Sequence, residues 1–511
     1  MKSIYLNYLN GRIESLMNTN VWEFFVDTGG TFTDCLARSK DGDFIRAKVL
    51  SKGNLSSKLE SFVSAKEIKL ESNVDWPNGF VNDFLISFAE KPKMRFPIKN
   101  WNLENRLLSL GKRVPFKVSS GMPVEIHTPW VAPILGMRLI LARQGLDCKD
   151  LKVRMRLATT RCTNALLENS GESPVLFITS GFADLLKIGD QRRNNLFSLI
   201  PEKRVPLCEE VVEIKERVDR HGVILQKPDL NEIEKKARKV FKAGYRSAAV
   251  SFLHSYLNPT HEQRIADLLR EIGFERVVES ARLSPLIKWR SRCESAVVEA
   301  YLSSILDKYL NRVESGLGEN GELLVNSSSG GLINRSQYRA VDSLLSGPAG
   351  GVVGASSISK RCGFARSINL DMGGTSADVS RFSGTFDYQM SHRVGEAEIS
   401  NIALKLETVA AGGGSICWVE NGLLKVGPKS SGAYPGPACY GFGGPLCLTD
   451  INLLLGRLDP SRFSVPLIKD DAEKKLLEIE NITGRSSIEL LHGFLAIADD
   501  AMANAIRKIS I

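Results

Sequence analysis

The chain lacks any run of about 18 uncharged apolar residues, so no membrane-spanning helix is expected. Its nine cysteines contain no C-x-x-C pair, which argues against a zinc ribbon or a thioredoxin-type redox site. Scattered single thiols fit a reducing compartment. The N-terminus has no signal-peptide pattern, because Asn, Gly, Arg and Glu interrupt its apolar residues. Residues 1–20 therefore read as a short extension, and a cytoplasmic location is expected. Dense Lys/Arg blocks are absent too. Lys+Arg is 67 against 58 for Asp+Glu, and the net charge of +9 is mild for 511 residues. It permits an anionic ligand and argues against nucleic acid as a partner.

What is present is ordinary for a folded protein: 43% hydrophobic and 24% charged residues. The length of 511 residues fits about three domains or two large ones. Folding is expected from Trp22, where an apolar run, Glu23–Val26, precedes a glycine turn. Residues 40–145 mix charged, Pro- and Trp-containing segments, with a helical pattern only at Val131–Gln144. A helix start is expected in Thr159–Glu168 and a strand at Val175–Thr179. A second region begins near Val211. There Leu230–Gly244, Pro259–Ile272 and Ala296–Leu310 read as helices and Ser247–Leu253 as a buried strand. This alternation predicts an α/β fold. A last apolar-periodic helix, Ile488–Ile506, has no Gly or Pro stop.

The strongest feature is a duplication. Asp27-Thr28-Gly29-Gly30-Thr31-Phe32-Thr33-Asp34 and Asp371-Met372-Gly373-Gly374-Thr375-Ser376-Ala377-Asp378 are both D-x-G-G-T-x-x-D. Each follows one apolar run and precedes another, so both are expected to be β-hairpins. One copy alone is compatible with a plain hairpin turn. Two copies point to a repeated device. Paired glycines let a backbone take positive φ and approach a ligand closely. Successive N–H groups in such a turn form an anion site. The aspartates repel phosphate and make sense where a divalent cation, or a water, bridges them to it. Two such hairpins facing each other would clamp a polyphosphate.

Other glycine clusters are weaker. Ser346-Gly347-Pro348-Ala349-Gly350-Gly351 either opens a helix toward a nucleotide or marks a close helix–strand contact. Gly412, Gly413 and Gly414 either approach a nucleotide or make a turn. His254 and His261 read as structural rather than as metal ligands. Cys439 has no assignable base and is not expected to be a nucleophile.

Taken in chain order, WEFFVDTGGTFTDCLA (22–37), ATTRCTNALLE (158–168), ITSGFADLLKIGDQ (178–191), SFLHSYLNPTHE (251–262), LLSGPAGGVVGA (344–355), NLDMGGTSADVSRF (369–382), ETVAAGGGSI (407–416) and GPACYGFGGPLCLTDINLLLGRLDP (436–460) resemble the hydantoinase A / 5-oxoprolinase family. The likeness is to the N-terminal portion of its fused 5-oxoprolinase-type chains. It implies a two-lobed, actin-like (ribonuclease-H-like) α/β ATPase fold carrying the duplicated hairpins. The implied division is 21–210 for the N-terminal domain and 211–511 for a hydantoinase A-like domain cut short at its C-terminal end. It implies ATP-dependent ring opening of a cyclic amide, 5-oxo-L-proline to L-glutamate, through a phosphorylated lactam. ATP and Mg²⁺ are the implied cofactors. By resemblance, Asp27 and Asp371 orient Mg²⁺ or the attacking group. Gly29, Gly30, Thr31, Thr33, Gly373, Gly374, Thr375 and Ser376 cradle phosphates, with Gly347, Gly350, Gly351 and Gly412–Gly414 nearby. Asp34 and Asp378 brace the hairpins. The implied partners are the cyclic amide, a hydantoinase B-like subunit or downstream half, and further copies in an oligomer.

Two rival readings are the ATPase subunit of an acetone-carboxylase-like enzyme and an inactive remnant. The chain departs from the family pattern at Thr28, Ala158, Ala377 and Tyr434, where fused relatives carry Arg, Gly, Thr and Asp. It also ends at Ile511, before the family's F-G-G-x-G segment.

Overall fold

Successive apolar positions suit a strand covered on both faces, and Val21–Thr28 is such a strand, with Phe24, Phe25 and Val26 all buried. It lies parallel to Lys152–Thr159 and antiparallel to Phe32–Arg38. The six-stranded sheet around it runs Leu332–Asn334, Gly321–Asn326, Lys152–Thr159, Val21–Thr28, Phe32–Arg38, Phe44–Leu50. The computed structural model describes residues 21–30, 32–72, 74–190, 204–432, 434–460, 463 and 467–510. The expected extension 1–20 and Thr31 lie outside these residues.

The stretch that composition leaves unread is mostly a closed six-stranded barrel. Its strands lie between Asn54 and His127, and Asn54–Ser64 closes it by pairing with Pro123–His127. Trp101 fills its interior, with Nε1 donating to the Trp76 carbonyl at 2.8 Å. The expected helix follows the barrel as Ala132–Arg143.

A second sheet is wholly parallel, in the order Glu210–Ile214, Val175–Thr179, Ser247–Ser251, Arg276–Glu279. Residues on both sides of position 210 therefore share this sheet. Its helices have local start and stop signals. Asp229 caps Leu230–Lys242 by accepting from Asn231 N and Glu232 N, and Gly273 ends Thr260–Ile272 at φ +114°. The helix expected over Ala296–Leu310 is much longer, Trp289–Leu317. Cys293, Ala296, Val297 and Ala300 pack with the parallel sheet, while Val298, Leu302, Leu306 and Leu310 join the core of the six-stranded sheet. This helix is buried on most sides, its polar residues Arg292, Glu294, Ser295 and Glu299 included, so polarity does not mark a solvent face as it does on a surface helix.

Two units result. One comprises Val21 to Gly347 with Gln389–Ala403, and the other comprises Pro348–Tyr388 with Leu404–Ile511. In the second unit, Ser367–Met372, Ala377–Phe382 and Leu406–Val409 form a three-stranded antiparallel sheet. The last helix, Ser487–Ser510, lays Ala505, Ile506 and Ile509 on Val379 and Val409. That cover stops short of the first strand. Its residues Ile368, Leu370 and Met372 are 47%, 43% and 42% exposed, and its outer edge has no strand partner among the described residues. Among the described residues no helix is long and apolar enough to cross a membrane.

Candidate functional site

Both D-x-G-G-T-x-x-D segments are β-hairpins, and their registers coincide. Asp27 stands opposite Asp34 and Asp371 opposite Asp378. Directly opposed residues share one face of the sheet, about 5 Å apart at Cβ, so each hairpin sets two carboxylates side by side.

In the first hairpin Gly29 N donates to Phe32 O at 3.1 Å and closes the turn. Three side-chain hydrogen bonds hold it. Ser51 Oγ donates to Gly29 O at 2.8 Å, Thr33 and Ser51 share a 3.1 Å hydroxyl bond, and Thr28 Oγ1 lies 3.1 Å from Tyr309 OH. Burial pushes the Tyr309 phenol up to about 12, so it stays neutral and able to donate. Lys48 Nζ sits 3.3 Å from both oxygens of Asp34. Thr160 N donates to Thr28 O at 3.1 Å and leads into the helix Arg161–Leu167. The turn opens on a cavity of about 580 Å³, whose wall includes Gly29, Gly30, Ser51, Thr160, Arg161 and Asn164.

In the second hairpin Gly373 N donates to Ser376 O at 2.8 Å. The turn Gly373–Thr375 is exposed. Asp378 accepts from Thr408 Oγ1 at 2.6 Å. Burial raises its carboxyl above the usual range, Thr408 partly offsets this, and the charge of Asp371 adds to it. Gly412–Gly414 belong to this hairpin. Gly413 N donates to Gly373 O at 3.0 Å and Gly414 N to Gly374 O at 2.6 Å. A methyl on Gly412 would fall 2.5 Å from Thr375 C, and one on Gly413 2.8 Å from Thr449 Oγ1. Close packing against another turn thus accounts for glycine at Gly412, and the approach to Thr449 accounts for it at Gly413.

The reason expected for the hairpin glycines needs correcting. The backbone at Gly29, Gly30, Gly373 and Gly374 does not enter the left-handed region. Gly29 and Gly373 face carbonyls at 3.3 and 3.4 Å, whereas nothing lies within 4 Å of a methyl built on Gly374. Space, not positive φ, is what these residues provide.

The cluster at 346–351 divides between the units. Ser346 opens the helix Ser346–Arg361 and donates from Oγ to Thr159 O at 3.1 Å, and a methyl on Gly347 would fall 3.7 Å from Thr160 Cγ2. Farther along, Gly350 is buried, and a methyl on Gly351 would fall 3.5 Å from Asp371 Oδ2.

His261 is buried and bonds Glu216 Oε2 at 2.7 Å, while Glu216 Oε1 accepts from Thr179 at 2.5 Å. That is a structural relay, and no group of three His, Cys, Asp or Glu among the described residues could hold a metal. The Cys439 thiol is buried and pushed far up, the reverse of an activated nucleophile. Beside it Asp450 collects three backbone donors, Ala438 N, Cys439 N and Cys447 N, at 3.1, 2.8 and 2.7 Å. Sequence reading missed Asp450, Tyr309 and Arg161, whereas Thr159, Thr160 and Asn164 stood out only by resemblance to a family segment, with no role assigned. Only Asp450 had a local signal, its place three residues after the helix cap Cys447.

The hairpins, the glycine cradle and the parallel sheet can now be set beside known proteins. The family described as Hydantoinase/oxoprolinase matches residues 292–511, and its N-terminal region matches 130–273. The chain belongs to the hydantoinase/oxoprolinase family. A 5-oxoprolinase of Saccharomyces cerevisiae is 36% identical over 434 residues, covering 74% of this chain and 34% of the relative. The chain thus spans about a third of that relative's length. Among solved structures, an ATP-dependent caprolactamase from Pseudomonas jessenii matches with a TM-score of 0.66 and 24% identity, over 96% of this chain and 63% of that one. A nucleotide-free acetone carboxylase matches with a TM-score of 0.66 and 20% identity, over 95% and 62%. At these identities the two structures speak for the mixed α/β fold.

Proposed function

We propose that this chain is the ATP-using portion of an enzyme that opens a cyclic amide, 5-oxo-L-proline to L-glutamate. The observation that carries the reading is the duplicated hairpin with its matched Asp27/Asp34 and Asp371/Asp378 pairs. An unstrained lactam is a poor electrophile. Transfer of the γ-phosphoryl group to its oxygen turns that oxygen into a leaving group, after which water opens the ring. Such transfer depends on positioning and charge neutralisation. In this reading the fold is that of an actin-like ATPase, and each turn offers its backbone to phosphate. The space over Gly374 and beside Gly30 admits phosphate oxygens to the backbone.

The donor set suits Mg²⁺. Each hairpin opposes two carboxylates, and the Asp378 carboxyl is raised by burial first and by Asp371's charge in addition. Asp27 in the first hairpin and Asp371 in the second each offer hard carboxylate donors, and a hairpin with few such ligands fits an ion that keeps its waters and binds phosphate. Mg²⁺ would supply charge neutralisation at the phosphate oxygens. A hydantoinase B-like subunit or downstream half completes the ring-opening machinery, in an oligomer.

Calorimetric titration of the chain with Mg·ATP tests the proposal. Binding is expected, with Asp27→Asn and Asp371→Asn each weakening it about tenfold or more while the fold is kept. Undiminished binding by both variants would sink the assignment. The acetone-carboxylase likeness supports a second reading, in which a ketone enol takes the phosphoryl group. ADP release that depends on ketone and not on lactam, in the presence of a hydantoinase B-like partner, would favour it.

A further inference from the structure

We infer that the cavity at the first hairpin holds the cyclic amide by its carboxylate, with Arg161 as the specificity-determining residue. This rests on the lactam reading above and identifies the substrate class as a ring amide bearing a carboxylate.

Charge balance in the cavity is the starting point. Lys52 on its wall is neutralised by Glu125. Arg161 and Arg312 are not: neither guanidinium has a hydrogen bond or ion pair among the described residues. Glu168 is the one acidic side chain on the wall. Two unpaired cations facing one carboxylate leave an excess positive charge, and that excess selects an anion. A guanidinium recognises a carboxylate with two parallel donors.

Arg161 is also positioned. It is the first residue of the helix Arg161–Leu167, and its guanidinium carbon stands 5.1 Å over the Tyr309 ring. That contact orients the planar group and leaves its N–H edge unused. Tyr309 in turn is tied to Thr28, so the guanidinium is referenced to the phosphate turn itself. Ile305 adds apolar wall and Asn164 an amide. Ring methylenes, a ring amide and a carboxylate each find a matching surface, and Gly30 stands beside Asn164, where a lactam oxygen would meet the transferred phosphoryl group. A volume of about 580 Å³ is ample for one small ring with the end of a phosphate chain.

The test compares 5-oxo-L-proline with 2-pyrrolidinone, the same ring without the carboxylate. The 511-residue chain is titrated with each by calorimetry, with and without Mg·ATP, as wild type, Arg161→Gln and Arg161→Lys. Circular dichroism checks the fold, which the exposed position of Arg161 favours keeping. Arg161→Gln is expected to weaken 5-oxoproline binding about 10- to 100-fold, from the worth of a charged hydrogen-bonded pair. Arg161→Lys should recover part of it. Binding of 2-pyrrolidinone should shift less than about twofold, since it makes no charged bond. Equal wild-type affinity for both rings, or failure to bind either, would overturn the inference. So would an equal loss of Mg·ATP affinity in Arg161→Gln, because the guanidinium would then serve phosphate. A carboxylate preference in a chain that binds no ATP would uphold this site and remove the support for the ATP reading.

Discussion

Gly412→Ala separates a glycine needed by the fold from one needed by the ligand. The new methyl would lie 2.5 Å from Thr375 C and 2.6 Å from Thr375 N and Ser376 N. Carbon contacts settle at about 3.5–4.0 Å, so the overlap is about 1 Å. All three atoms are backbone, so no side chain can rotate away. The turn Gly373–Thr375 must move, or the segment Gly412–Gly414 must lift from it and break the bonds of Gly413 and Gly414 to Gly373 and Gly374. Overpacking of this kind costs about 1–3 kcal/mol. Gly374→Ala is the contrast. Its methyl meets nothing within 4 Å and its backbone is not left-handed. Stability should change by less than about 1 kcal/mol, with reduced unfolded-state entropy favouring the variant. On the proposed function the same methyl would fill the space open to phosphate, so Mg·ATP binding should fall sharply. Urea unfolding and calorimetric titration of both variants read the two quantities. Wild-type stability in Gly412→Ala would refute the packing argument. Wild-type ATP affinity in Gly374→Ala would refute the claim that the open space is used.

Two further outcomes are expected. Burial lowers the His392 imidazole from the ordinary 6.5 to about 4, with the backbone carbonyl of Asn401, as an acceptor, partly opposing. The fold therefore favours the neutral ring. Its contribution is complete above pH 6.5 and is lost as pH falls through about 4, an effect of about 3 kcal/mol. His392→Leu should flatten that slope in urea unfolding at pH 7, 5.5 and 4, and an unchanged slope would place the dependence elsewhere. Asp450→Asn turns one acceptor oxygen toward backbone donors as an NH₂ group. With three backbone N–H groups converging there, a loss of about 1–3 kcal/mol follows. Full stability in that variant would mean that the donors find other partners.

The legible parts of this protein are those whose signals lie within a few residues. Both hairpins could be placed because two apolar runs around a fixed glycine spacing set their own register. The helices at Leu230–Lys242 and Thr260–Ile272 carried caps or stops of their own, Asp229 and Gly273. The barrel was illegible because its closure pairs Asn54–Ser64 with Pro123–His127, and bulges break the alternation, as at Leu59/Ser61. The same distance in sequence hid the site's wall: Thr28 meets Tyr309, and Arg161 stacks on that same ring.

The amino-acid sequence by itself determined the repeated hairpin, its chemistry of paired carboxylates and glycines, and the family to which the chain belongs. Only tertiary structure decided why those glycines are required, because a missing methyl has meaning only once the opposing backbone is in place. It alone also decided which cations stand unpaired around the cavity, since charge balance is a property of neighbours in space and not of neighbours along the chain.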